Sequence, residues 1–250
     1  MLEVANPVHP ELLASTLDWW RDAGVDTMID EVPVAWLARG KTESPPKAAT
    51  ERKAVAAAPV APPVEAMPKD REGFITWLLT SPDVPGAGPP AQRVAPSGNP
   101  DARVMVVIDM PEAGDVGAGH LLSGDAGEIF DRMLAKINLN RDAIYLCALC
   151  PARPPGGMLN DEAVAALTPI LRHHIDLVGP KRLWLMGQTV SRAIIGADAM
   201  PGIGSLRNVN HDGRIVEAVA SFSPRFLLQQ PKRRIAALAD MQVLIEGIDA

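Results

Sequence analysis

The most regular signal along the chain is a repeated alternation between short, wholly apolar runs and longer segments with apolar residues at helical spacing. "RVMVVID" (103–109), "AIYLCALC" (143–150), "KRLWLMG" (181–187) and "GRIVEAVASF" (213–222) read as strands. The first three are nearly continuous in apolar character, as strands covered on both faces are. Between and after them, "AGEIFDRMLAKI" (126–137), "NDEAVAALTPILRHHIDLVG" (160–179), "QTVSRAIIG" (188–196) and "PKRRIAALADMQVLIEG" (231–247) carry helical periodicity. Asn160 is a candidate N-cap followed by acidic residues, and Gly196 is a natural stop. Strands separated by helices predict right-handed crossovers. The expected fold is α/β: a three-layer α/β/α arrangement around a mainly parallel four-stranded sheet. In such sheets ligands bind outside the carboxyl ends of the strands, so the segments after 109, 150, 187 and 222 should converge.

Outside this pattern the chain divides further. In residues 1–39, Leu12, Leu13, Thr16, Leu17, Trp20 and Ala23 fall at helical spacing and Gly24 follows as a stop. Trp19, Trp20 and Trp36 crowd that segment, which reads as a recognition peptide or as an extension that packs on the chain's own domain. Residues 40–70 are rich in Ala, Pro and charge with no periodic apolar face, the composition of an extended tether. Residues 71–250 are the expected globular domain.

Composition narrows the classes. A 47% hydrophobic content supports a sizeable core, and a net charge of −6 excludes a globally basic nucleic-acid binder. Any contact with DNA must come from a local patch. The N-terminus lacks the basic start and apolar run of a signal peptide, and no apolar stretch is long enough to span a membrane. With only two cysteines, the expectation is a reducing, cytoplasmic compartment and no disulfide framework.

Several features have plain structural readings. Cys147 and Cys150 are three apart in an apolar strand, which points their side chains to opposite faces of the core. His173 and His174 lack ligand spacing to other histidines and are expected on a solvated helix face. The glycine-rich "GDVGAGHLLSGDAG" (114–127) lacks the Gly-Lys-Ser/Thr ending of a nucleotide loop.

The four loops, "DMPEAGDVGAGHLLSGDAG", "CPARPPGGMLNDE", "MGQTVS" and "SFSPRFLLQQPKRR", taken in order, resemble the uracil-DNA glycosylase superfamily. The nearest likeness is to its family 4, the iron–sulfur branch, over about residues 93–247. "AGEIFD" (126–131), "RPPGG" (153–157), "LVGPKRLWLMG" (177–187) and "SPRFLLQQPKRR" (223–234) carry it best. The resemblance implies a role for each loop and shows where this chain departs. The acidic residue that handles water corresponds to Asp109. The aromatic that stacks on the flipped uracil corresponds to Leu122. The Asn that reads the uracil edge corresponds to Ala148, whose methyl cannot pair with a polar base edge. The His that stabilises developing negative charge corresponds to Ser223, and losing such a donor typically costs about 10²–10³ in rate. Two of the cluster cysteine positions fall on Ala152 and Ala166, so neither a metal nor another cofactor is expected.

The resulting expectation is a catalytically degenerate glycosylase-like protein that acts as a DNA-binding or adaptor factor in replication or repair. A divergent but active glycosylase is the alternative. Weak, sequence-independent DNA contacts are expected from Arg153, Pro154, Pro155, Gln188, Lys232, Arg233 and Arg234. A replication or repair protein is the partner expected for residues 10–38, as in the similar psi subunit of the bacterial clamp loader.

Overall fold

The computed structural model describes residues 67–211 and 214–248. The N-terminal segment and the tether up to residue 66, including Trp19, Trp20 and Trp36, lie outside the described residues.

Six strands form one sheet. β1 (Ser97–Gly98), β2 (Val104–Ile108), β3 (Ile144–Ala148), β4 (Arg182–Met186), β5 (Leu206–His211) and β6 (Arg214–Ser221) take the order β1-β3-β2-β4-β6-β5. The four central strands are parallel, and both edge strands are antiparallel to their neighbours. The sheet is therefore mixed and six-stranded rather than four-stranded. The central strands are the four that the apolar runs predict. The edges escaped because β1 has only two residues, and "LRNVNH" in β5 is too polar to stand out.

Helices cover both faces. They are α1 (Arg71–Thr80), α2 (Asp115–Ala118), α3 (Gly124–Lys136), α4 (Asp161–Val178), α5 (Gln188–Ile194), α6 (Pro224–Gln229) and α7 (Arg234–Ile245). Every residue of β2, β3 and β4 is buried. The period-2 pleat divides them between two layers. Met105, Val107, Leu183 and Leu185 join Phe74 of α1, Leu167 and Ile175 of α4 and Val190 of α5. Val104, Val106, Ile108, Trp184 and Met186 join Phe130 of α3, Leu227 of α6 and Met241 of α7.

Two local expectations are corrected. Cys147 and Cys150 are both buried but belong to the same apolar layer. β3 ends at Ala148, so strand alternation no longer governs Cys150. His174 is not solvated: it is 2% exposed, its Nε2 lies 2.9 Å from the Tyr145 hydroxyl, and Phe74 packs against its ring. α4 turns this residue toward the sheet, and burial together with the neighbouring His173 pushes its pKa down to about 3. No described helix is long and apolar enough to cross a membrane.

Candidate functional site

The carboxyl ends of β2, β4 and β6 converge on a cavity of about 360 Å³. Asp109 immediately follows β2, Gly187 follows β4, and Phe222 and Ser223 follow β6. All four line the cavity, together with Gln188, Phe226 and Arg233. Of the residues singled out from sequence, Asp109, Gln188, Ser223 and Arg233 are thus brought together.

Asp109 is held firmly. Its Oδ1 accepts the N–H of Val190, in the first turn of α5, at 2.8 Å. Burial pushes its pKa up to about 6, against the opposing pull of that N–H and of the Arg225 charge. Its place depends on Gly187. The φ of Gly187 is +127°, and a Cβ there would lie 2.5 Å from Asp109 Oδ2. Only glycine lets strand β4 turn into α5 this close to the carboxylate.

Ser223 is the N-cap of α6, and its Oγ accepts the N–H of Phe226 at 3.3 Å. Phe226 in turn stacks on Phe222, with centroids 5.1 Å apart and planes 17° apart. With only six residues, α6 is too short for helical periodicity to show in the sequence. The basic run after it divides. Lys232 and Arg233 sit in a 3₁₀ turn, Pro231–Arg233, and α7 begins only at Arg234. Arg233 reaches over the Phe222 ring at the cavity, whereas Arg234 lines a separate groove with Arg132 and Lys136 between α3 and α7.

The two base-pocket positions lie elsewhere. Leu122 and Ala148 are 1% and 8% exposed and belong to one apolar layer. The backbone of Leu122 takes a φ of +53°, uncommon for a non-glycine residue. It is fixed from both sides: Leu122 N–H donates to Asp115, and its carbonyl accepts from Arg141 at 2.7 Å. Leu122 lines a second cavity, of about 580 Å³, with His120, Glu128 and Arg141.

Among the DNA-contact candidates of the second loop, the Arg153 guanidinium donates to the Pro111 carbonyl at 3.1 Å, which links the second loop to the first. Pro154 is partly covered, and Pro155 is exposed and begins a 3₁₀ turn.

Three important residues escaped the sequence reading. Asp115 is fully buried and accepts from the backbone of Glu112, Leu122 and Ser123 and from the Ser123 hydroxyl, which shapes the whole first loop. An Asp within a glycine-rich loop is the signal that points to such a role. Glu112 and Arg225 form a bidentate ion pair that ties the first loop to the start of α6. With a separation of 113 positions along the chain, no local pattern couples the two.

Residues 95–242, more than half of the chain, match the family model described as the uracil DNA glycosylase superfamily. The chain belongs to this superfamily. It is 26% identical over 152 residues to the Type-4 uracil-DNA glycosylase of Pyrobaculum aerophilum, covering 58% of this chain and 77% of that protein. It is 24% identical over 144 residues to the Type-4 uracil-DNA glycosylase of Archaeoglobus fulgidus, covering 55% and 72%. A third relative, from Thermotoga maritima and of the same name, is 27% identical over 97 residues, covering 38% and 50%.

The iron–sulfur cluster associated with family 4 does not fit this member of the superfamily. Ala152 and Ala166 are buried apolar residues. Cys147 and Cys150 are embedded in the core, and burial pushes both thiols up, away from the thiolate that ligation needs. Cys150 Sγ is directed at the Gly86 carbonyl, 3.7 Å away.

Proposed function

We propose that this chain is a superfamily member that has lost uracil excision and keeps the capacity to hold a DNA backbone, serving as a DNA-binding or adaptor factor in replication or repair. The observation that carries the reading is the burial of Leu122 and Ala148 in one apolar layer. At the positions where the resemblance places a stacking ring and an edge reader, the chain offers only core-packed aliphatic groups. A uracil edge facing them would leave its polar atoms unsatisfied. Ser223, at the anion-stabilising position, uses its hydroxyl to cap α6.

DNA backbone contacts would come from Arg153, Lys232 and Arg233, with Gln188 at the cavity wall. They would be weak, sequence-independent and salt-sensitive. A protein partner taken through residues 10–38 completes the adaptor role.

A second reading, a divergent glycosylase, is favoured by Asp109. A carboxyl group pushed up to about 6 in a cavity at the strand ends is suited to proton transfer near neutral pH.

A uracil-containing oligonucleotide cleavage assay run beside a band-shift titration separates the two. The proposal expects a retarded band and no released uracil. Excision above background that Asp109→Asn abolishes would establish the second reading instead.

A further inference from the structure

The Glu112–Arg225 pair joins the loop after β2 to the segment after β6. Arg225 Nε lies 3.0 and 2.9 Å from the two carboxylate oxygens of Glu112, and its Nη2 lies 2.9 Å from Oε1. Arg225 is in the first turn of α6, beside Phe226, and the charge of its guanidinium reaches Asp109. The pair is not sealed in the core: the Arg225 side chain is 33% exposed and that of Glu112 18% exposed. Arg225 is next in the chain to Phe226, which lines the cavity that also takes Arg233.

A guanidinium fork binds carboxylate and phosphate through the same geometry, two parallel N–H donors meeting two oxygens. On the DNA-binding reading given above, we propose that Arg225 is a phosphodiester-binding residue of the cleft and that Glu112 occupies the phosphate's place on it in the free protein. The backbones on both sides are fixed independently. Glu112 N–H donates to Asp115 at 2.8 Å, the adjoining Pro111 carbonyl is held by Arg153, and the Ser223 cap sets the start of α6. Exchange therefore needs only side-chain rotation. A partly exposed ion pair is weak enough to be displaced by a polyanion, so Glu112 lowers affinity without abolishing binding.

The competing account makes the pair a strut between two loops. The accounts predict opposite signs. If the pair is a strut, Glu112→Gln and Arg225→Ala both loosen the loops and both weaken DNA binding. If Glu112 stands in for phosphate, Glu112→Gln strengthens binding and Arg225→Ala weakens it.

Fluorescence anisotropy with short labelled single-stranded and duplex oligonucleotides, on the full chain, decides between them. The variants are Glu112→Gln, Arg225→Ala, the double variant, and Glu112→Gln with Arg225→Lys, each checked for folding by thermal melting. Glu112→Gln should bind several-fold tighter than wild type. Its salt slope between about 50 and 200 mM should grow by about 0.7–0.9, one phosphate's worth. The double variant should bind like Arg225→Ala alone, and Arg225→Lys should keep only part of the gain. Equal or weaker binding by folded Glu112→Gln overturns the proposal. So does a gain that persists without Arg225, because a through-space charge effect then explains it. Inorganic phosphate at matched ionic strength should displace DNA poorly. Efficient displacement would assign the site to a free anion and overturn the phosphodiester. If wild type binds DNA and the variants show no such pattern, this inference alone falls. If neither wild type nor any variant binds DNA, the DNA-binding reading falls with it.

Discussion

Asp109 caps a helix that begins on a different strand: its Oδ1 accepts the N–H of Val190 at 2.8 Å. The N-cap residue of α5, Gly187, has no side chain to do so. The candidate acidic residue of the cleft is therefore also a structural element, and its two roles can be separated by pH and by substitution.

Between pH 4 and 6, the folded protein should hold a proton on Asp109 that the unfolded chain has released, since burial raises the group from 3.8 to about 6. Its contribution to stability falls as pH rises through that window, and above it the buried charge is a net cost that the Val190 N–H and Arg225 offset only in part. Asp109→Asn keeps an acceptor for Val190 without the buried charge. The variant should gain up to about 3 kcal/mol over wild type at pH 7.5 and little at pH 4. Urea denaturation at the two pH values measures the gap. A constant gap would show that Asp109 does not titrate in this window.

His174 should act in the opposite sense. Its folded pKa is depressed to about 3 from 6.5, so the unfolded chain takes up a proton first as pH falls. Stability is fully present above pH 6.5 and is lost progressively toward 3. Melting of His174→Gln should depend less on pH between 6.5 and 4.5 than melting of wild type. Because Asp109 opposes this slope between pH 4 and 6, Asp109→Asn should make acid destabilisation steeper.

Gly187→Ala should be one of the most damaging single-methyl additions to the cleft. It forces a side chain into φ +127° and against the Asp109 carboxylate. The expected cost is about 1–3 kcal/mol from the backbone alone. Adding Asp109→Ala should relieve only the clash, so thermal denaturation of the double variant should stay below that of Asp109→Ala.

Ser223→Ala removes an N-cap whose hydrogen bond is long, at 3.3 Å. The loss should lie at the low end for caps, about 0.5–1 kcal/mol by chemical denaturation. A far larger loss would mean that the hydroxyl supports more than α6.

The triple substitution Lys232→Ala, Arg233→Ala and Arg234→Ala should lower both DNA affinity and its salt slope. Within the triple, Arg233→Ala should account for more of the loss than Arg234→Ala. Arg233 faces the Asp109 cavity, and Arg234 faces the groove between α3 and α7. Equal effects in a salt titration would place the DNA path across both surfaces.

The central sheet was legible in the sequence because its strands are covered on both faces. Val104–Ile108, Ile144–Ala148 and Arg182–Met186 must be apolar throughout or nearly so, and a continuous apolar run needs no knowledge of its partners. The placement of Asp109 and Ser223 at strand ends followed from the same reading, since parallel α/β topology gathers those ends on one side. The tertiary structure alone decided which way side chains turn once regular structure stops. Cys150 lies past the end of β3 and joins the layer of Cys147, and His174 faces inward because its side of α4 packs against Phe74 of α1 and Tyr145 of β3. It also decided that Glu112 meets Arg225, and that Leu122 packs into the apolar layer of Phe130 while lining a cavity separate from that of Asp109. These contacts join residues whose separation along the chain far exceeds any helical or strand period. Their geometry depends on how the loops close over the sheet, and local patterning carries no record of that closure.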